Sequence, residues 1–489
     1  MKHLPFDLWE PVIGLEVHVQ LNTKTKLFSR APNRFGDEPN TNITEVCTGE
    51  PGSLPVLNEE AVKKAVLFGL AISAKVALVS TFDRKSYFYP DCPRNFQITQ
   101  FEHPIILGGN IIADVDGKTK EFQVNRAHLE DDAGMLKHFS TFAGIDFNRS
   151  GVPLLEIVSE PVMHTPKEAV AYVMALKAIM EYIGASDCNM EEGSLRVDAN
   201  ISVRPKGEKS FRSKIEIKNM NSFNFLEMAL ESEIVRQISL YTSHPEESHA
   251  DLIRPSTYRW DPEKKKTVLM REKESAEDYR YFPEPDLVPI VLTQEMVDEI
   301  KKALPELPHD RYKRYVTALG LSEHAASLLI NEKHLADYFE EALSYCSNKR
   351  SVANWITQEF AGRLKEKGET LFSLKIPARH VASLVSLIDE GKITGKIAKM
   401  VADDMVANPL KDPQIIVQEN PGYQPQRDLA LIEKFVDEAI LENPSSITDY
   451  KNGKVKAFSF LVGQVMKKSK GQASPDIVNE LLQKKIQEK

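Results

Sequence analysis

From Leu195 to Arg204 the sequence alternates without a break. Leu195, Val197, Ala199, Ile201 and Val203 fall on one side, and Arg196, Asp198, Asn200, Ser202 and Arg204 on the other. A period of two sets a β-strand, and its unbroken apolar side requires a core to cover it. The polar side is unusual. It carries acid, amide, hydroxyl and two guanidinium groups, which suit metal, phosphate and carboxylate better than bulk water. Such a face has a chemical use only if other strands bring matching groups beside it.

Other segments alternate in the same way, at residues 12–21, 121–129, 154–158 and 211–218. Pro205, Lys206 and Gly207 lie between the strands at 195–204 and 211–218 and predict a hairpin turn. Helices interleave. Thr165, Pro166 and Glu168 form a capping box with proline at the first helical position. Val173, Leu176 and Met180 supply the apolar stripe, and Gly184 the stop. Ser222 predicts the cap of a second helix carrying Leu226, Leu230, Ile234 and Ile238.

Beyond residue 295 the strand signal fades. Residues 294–303, 309–319, 325–331, 335–345, 352–367, 378–390 and 393–403 predict short helices. Residues 409–425, with Pro413 and Pro421, predict an irregular linker. A last helical unit follows from Leu429, with Lys454, Lys456, Lys467, Lys468, Lys470, Lys484 and Lys485. A chain of 489 residues is too long for one typical core. The expected organisation is a mixed α and β domain over 1–295, a helical domain over 296–408 and a helical tail over 409–489.

The formal net charge of −9 excludes a uniformly basic nucleic-acid binder but leaves room for local basic patches. No stretch is long and apolar enough to span a membrane; residues 65–80 come nearest and Lys75 interrupts them. The first residues lack the apolar region of a signal peptide. Four cysteines, Cys47, Cys92, Cys188 and Cys346, stand far apart with no paired spacing, which predicts free thiols in a reducing cytoplasm.

Several groups could do chemistry. Residues 12–20 put Gly14, Glu16, His18 and Gln20 on one strand face, with Glu16 and His18 about 7 Å apart at Cα. They could hold a hard divalent cation, or form an ordinary solvated face. Residues 126–134 place Glu130, Asp131 and Asp132 in a row, either a cation site or an acidic surface turn. Glu156 lies inside the apolar run 154–158, where a lone carboxylate needs a partner. Lys214, Glu216 and Lys218 share a face and read most simply as an ion-pair ladder. Residues 83–90 and 278–283 combine cations with aromatic rings, which suits either stacked bases or packing beneath a loop. Gly117, Lys118 and Thr119 lack the upstream glycine of a P-loop. A chain using ATP would therefore rely on a carboxylate–metal site.

These segments together resemble one family. VIGLEVHV (12–19), FDRK (82–85), YFYP (87–90), EDDAG (130–134), PLLEIVSEP (153–161), residues 190–204, KNMNSF (218–223), DYRYFPEPD (278–286), KNGK (451–454) and FLVGQ (460–464) through Lys470 and Gly471 are similar to the B subunits of bacterial and organellar aspartyl/glutamyl-tRNA amidotransferases. The resemblance runs nearly end to end. It implies an α+β fold: a cradle-shaped domain with a largely antiparallel sheet, then all-α helical and tail domains, the tail touching tRNA.

It also implies a cytoplasmic heterotrimer with an amidase A subunit and a small C subunit. ATP and Mg²⁺ would serve to phosphorylate the side-chain carboxylate of Glu or Asp mischarged on tRNA(Gln) or tRNA(Asn). Ammonia released by the amidase would travel through a tunnel and displace the phosphate. By position, Glu16, His18 and Glu156 match metal and phosphate-transfer residues. Asp131 falls where many members carry Glu, so its contact with a metal would be water-mediated. Lys85 and Asp198 match the tunnel mouth, and Arg196 and Glu216 are the nucleotide-binding candidates. Some members hold zinc with four cysteines. Here the positions are Ser29, Ala31, Thr44 and Cys47, so no zinc is expected.

Two other classes remain open on residue patterns alone. One is a metal-dependent ligase or hydrolase acting on a small acidic metabolite, against which the lysine-rich helical end argues. The other is a non-catalytic RNA-binding adaptor, against which the strand-borne acids argue.

Overall fold

The computed structural model describes residues 6–272, 279–423, 428–451, 453–469 and 471–488. Asp278, Asn452 and Lys470, named above within motifs, lie outside the described residues. Six strands position the site: β1 (Trp9–Gln20), β2 (Asp83–Ser86), β3 (Lys118–Asp131), β4 (Pro153–Ser159), β5 (Leu195–Pro205) and β6 (Ile215–Lys218). Five of them run side by side in a ten-stranded sheet in the order β6-β5-β1-β4-β3. Neighbours in that run are all antiparallel. A parallel pairing joins β6 to the strand Ser256–Asp261. The fold is α+β with a largely antiparallel sheet, as the sequence predicts. Strand β2 belongs to a separate three-stranded sheet with Phe96–Thr99 and Phe282–Pro283.

Parity decides which side of the sheet is dry. Ile13, Leu15, Val17 and Val19 of β1 and Leu195, Val197, Ala199, Ile201 and Val203 of β5 are buried in one core. Among the helices that contribute to it are α1 (Glu59–Ala71), α2 (Pro166–Tyr182) and α3 (Phe223–Ser243). The capping box of α2 is complete, with Thr165 and Glu168 accepting from each other's backbone amides. The helix stops at Ile183, and Gly184 follows at a φ of 65°, which its missing Cβ permits. Ser222 caps α3 by accepting from the Phe225 amide at 3.1 Å. Leu226, Leu230, Ile234 and Ile238 bury one stripe of that helix, and each such side chain contributes about 1.5–3 kcal/mol to docking it.

The predicted hairpin at residues 205–207 is instead a wide connection. β5 continues to Pro205 because β1 keeps pairing with it as far as Trp9. β6 meets β5 only from Ala199 to Ile201 and begins at Ile215, so residues 206–214 cross between them as a loop.

The chain divides into two compact units, Met1–Arg311 and Tyr312–Lys489. The helix Gln294–Lys301 buries Val297 in the core of the first unit. The second unit is helical and has two cores. One gathers Phe339, Val381 and Val401, the other Ile432, Val436, Leu461, Val465, Val478 and Leu482. Residues 409–425 differ from the expected linker. Pro413 starts a helix, Pro413–Glu419, capped by Asp412. Tyr423 is buried in the first helical core and donates its hydroxyl to Asp404 at 2.6 Å. Among the described residues, no helix is long and apolar enough to cross a membrane.

Candidate active site

Strand register assembles the site from distant parts of the sequence. Arg196 on β5 stands opposite His18 on β1, His18 opposite Glu156 on β4, and Glu156 opposite His128 on β3. These four side chains form one row across four strands. The row on one side pairs Asp198 with Glu16, and the row on the other runs Gln20, Leu154, Glu130. All belong to the sheet face opposite the apolar core, as the alternation of each strand requires.

The centre of the arrangement is Glu156, buried between two imidazoles. Its Oε2 lies 3.3 Å from His18 Nε2 and 3.5 Å from His128 Nε2. Glu16 Oε1 lies 3.8 Å from His18 Nε2. Two groups of three donors result, Glu16, His18, Glu156 and His128, Glu130, Glu156, each with its ligand atoms within 4.8 Å of one another. Carboxylate oxygens and imidazole at this spacing fit a divalent cation. Burial and the neighbouring Glu156 push the Glu16 carboxyl up to about 7. Burial opposes charge on Glu156 itself, but His128, His18 and Lys85 hold it well below the usual carboxylate range. At His18, burial works against the imidazolium, yet the hydrogen bond and charge of Glu156 lift it to about 9. Burial keeps His128 below its ordinary value. Two carboxyl groups with opposed shifts on either side of one imidazole, His18, mark a site built for charge transfer or cation binding.

Around this centre lies a cavity of about 600 Å³, the size of a nucleotide-scale ligand site. Its lining carries Glu16, Asp91, Glu130, Asp132, Glu156, Asp198 and Glu216 against Lys85, Arg126, Arg149, Arg196, Lys218 and Arg271. The charges nearly balance, so a polyphosphate would need a cation with it to avoid the carboxylates. Lys85 enters from β2, its Nζ 3.5 Å from Glu130 Oε2 and 5.3 Å from the Tyr279 ring centroid. Lys218 pairs with Asp198 and lies 3.6 Å from Glu216. Glu216 also accepts from Thr257 Oγ1 at 3.0 Å. Arg196 donates to Asp132 at 2.7 Å.

Glu16, His18, Lys85, Glu156, Arg196, Asp198 and Glu216 therefore all meet in one cavity. Asp131 does not, and its expected place among the metal ligands is corrected. It sits on the opposite face of β3 from His128 and Glu130. There it pairs with Arg94 and accepts from the Ile98 amide at 2.7 Å. The residues that alternation brings to the cavity are His128, Glu130 and Asp132. The signal is the pair Ala127 and Leu129: a register shift after Val124 moves the core positions from Phe122 and Val124 to Ala127 and Leu129, and carrying that later parity on leaves His128, Glu130 and Asp132 on the cavity side. Arg149 comes from a loop and has no such signal.

The two aromatic segments come together. Phe282 pairs with Arg84 of β2, and Tyr281 stacks on Phe101 with ring centroids 4.1 Å apart. Tyr87, Tyr279 and Tyr281 line the cavity, while Phe88 and Tyr89 are exposed. Of the expected ladder at 214–218, Lys218 lies 3.6 Å from Glu216 and crosses to Asp198 inside the cavity. Elsewhere Ser29 Oγ and Thr44 Oγ1 lie 3.2 and 3.5 Å from Cys47 Sγ, with Lys26 Nζ at 3.7 Å.

Residues 11–298 match the GatB/GatE catalytic domain, and residues 337–486 match the GatB domain. A protein of Protochlamydia amoebophila, named as the B subunit of an aspartyl/glutamyl-tRNA(Asn/Gln) amidotransferase, is 67% identical over 485 residues, 99% of this chain and 98% of that protein. Proteins of the same name from Chlamydia pneumoniae and Chlamydia trachomatis are 60% and 59% identical over 474 residues, 97% of both chains in each case.

Proposed function

This chain belongs to the GatB/GatE family as a B subunit of the aspartyl/glutamyl-tRNA(Asn/Gln) amidotransferases, ligase-type transamidases, and we propose that its sheet cavity phosphorylates a tRNA-borne side-chain carboxylate with ATP. The observation that carries the reading is the row Arg196, His18, Glu156, His128, with Glu16 beside it. In the proposed reaction a carboxylate oxygen of the mischarged Glu or Asp attacks the γ-phosphorus of ATP, and the bond to ADP breaks. Ammonia nitrogen then attacks the acyl carbon, phosphate leaves with the acyl–oxygen bonding pair, and the nitrogen loses a proton to give the amide. The products are Gln-tRNA(Gln) or Asn-tRNA(Asn).

Glu16, His18 and Glu156, with Glu130 and His128 alongside, would hold Mg²⁺. Bound there, it would neutralise the phosphate charges that would otherwise meet carboxylates. Lys85 and Arg196 place fixed positive charge at the cavity wall, where charge develops on transferring oxygens. Glu216 fixes Lys218 and Thr257 on the nucleotide side. Asp198, paired with Lys218, takes the role of guiding ammonia toward the activated acyl group. An amidase A subunit and a small C subunit supply that ammonia in a cytoplasmic heterotrimer. Three regions divide the labour: the first unit, Met1–Arg311, for chemistry and the acceptor end, the first helical core, which reaches Tyr423, as a helical connection, and the last helices from Leu429 for tRNA contact.

The test is the complex given labelled ATP, Mg²⁺, mischarged Glu-tRNA and ammonium. It should release ADP and form the amide. Glu16→Gln should reduce ADP release by at least about 10²-fold, the scale of losing one electrostatic stabiliser, with tRNA affinity nearly intact. No amide product from the unmutated complex would sink the reading. An equal loss of tRNA affinity in the variant would make Glu16 structural.

A further inference from the structure

The wall beside His18 holds a buried acid whose geometry is directed at one cation. Asp132 has a side chain only 3% exposed. Its Oδ2 accepts from Arg196 Nη2 at 2.7 Å and from Gln20 Nε2 at 3.0 Å, and stands 3.7 Å from Arg149 Nε. Arg149 supports Asp132 by its charge, while its N–H groups are spent on backbone carbonyls. Its Nε donates to the Ala133 carbonyl at 2.9 Å and its Nη2 to the Gly134 carbonyl at 2.7 Å. Arg196 is different. Among the described residues its guanidinium makes one hydrogen bond, the one to Asp132, and its Nε is buried without a partner. A third of its side chain, 34%, stays exposed on the cavity wall. Register fixes its backbone beside His18, next to the donors that fit a cation.

A planar guanidinium held from behind by one immobile carboxylate keeps its remaining N–H groups for the oxygens of an anionic partner. We propose that Asp132 is a positioning residue: anchored by Gln20 and Arg149, it fixes Arg196 so that the guanidinium is presented to the phosphate chain of the nucleotide. The inference rests on the reading of the cavity as a nucleotide site and deepens it. Asp132 lines the cavity, but its Oδ2 is taken up by Arg196 and Gln20, and it acts by keeping Arg196 from sampling other rotamers, a preorganisation that lowers the cost of binding.

The experiment uses the complete complex with ATP, mischarged tRNA and ammonium, and fits KM and kcat for each substrate. Asp132→Asn should raise KM for ATP by about tenfold or more, the scale of a lost charge-assisted hydrogen bond, and leave KM for the aminoacyl-tRNA within about twofold. In an Arg196→Gln background the same substitution should add less than about twofold, because its target is gone. Gln20→Leu loosens Asp132 without removing its charge. It should raise KM for ATP in the same direction by a smaller factor, and it carries the test if Asp132→Asn does not fold. Multiplying effects of Asp132→Asn and Arg196→Gln, or an unchanged KM for ATP in Asp132→Asn and Gln20→Leu, would overturn the inference while wild-type activity stands. A wild-type complex with no ATP-dependent amide formation would remove the nucleotide reading and this inference with it.

Discussion

The sheet of the first unit and the last helices of the second hold their charges in opposite ways. In the sheet, the carboxylates of Asp131, Asp132 and Glu156 are under one-tenth exposed, and each meets a cation, an imidazole or a backbone N–H. In the last helices, Lys485 pairs with Glu433 at 2.9 Å and Asp437 at 2.6 Å, both about half exposed. Lys468 pairs with Glu442 at 2.7 Å and Lys454 with Asp449 at 2.9 Å in the same open manner. Buried charges are costly and are tolerated where their placement matters; surface charges contribute little to stability and are free to meet a partner.

The largest break in that comparison comes from Arg94→Ala. It leaves the buried Asp131 carboxylate with the Ile98 amide as its remaining support, and should destabilise the first unit by about 3–5 kcal/mol. Lys485→Ala should cost less than about 1 kcal/mol. Urea unfolding of the two variants measures both, and similar losses would erase the distinction.

A second prediction separates the tail lysines from one another. Among the described residues, Lys467 and Lys484 are exposed and make no ion pair, whereas Lys468 is already neutralised. Replacing Lys467 and Lys484 together by Ala should flatten the slope of log affinity for tRNA against log salt by about two. Lys468→Ala should change it much less. A slope that ignores the first pair would take these helices off the binding surface.

The smallest effect is a pH dependence at the start of α2. Burial opposes charge on Glu168, but the bond from Lys120 and the amides of His164 and Thr165 outweigh it and lower its pKa. A depressed carboxyl stabilises the fold above its unfolded value and loses that contribution as pH falls through the folded one. Wild type should exceed Glu168→Ala by about 1 kcal/mol at neutral pH, the typical worth of a cap, and the gap should narrow on acidification below the ordinary carboxylate range. A gap independent of pH would show that the charge of Glu168 is immaterial.

Much of this is legible in the sequence because periodicity is local. The strands at residues 12–21, 154–158 and 195–204, the capping box at Thr165 and the cap at Ser222 all follow from neighbouring residues. Asp131 misleads because position in an acid-rich motif says nothing of parity along β3. The prolines of residues 409–425 mislead because proline starts a helix as readily as it interrupts one, and only Tyr423 in the core decides between them. Arg149 and Gln20 as supports of Asp132 depend on pairing across the sheet, which no single segment encodes.

The row from Arg196 to His128 acts as a checksum on strand registration. A slip of one residue in β1 would turn Glu16 and His18 into the core and Val17 toward the cavity, so a misregistered sheet has no partial site to offer. The first strand is made early, yet its chemistry waits for β5, whose partner residues lie far along the chain. Contacts of such long sequence separation form slowly. A nascent or truncated chain ending before Pro205 would therefore be silent, not weakly active.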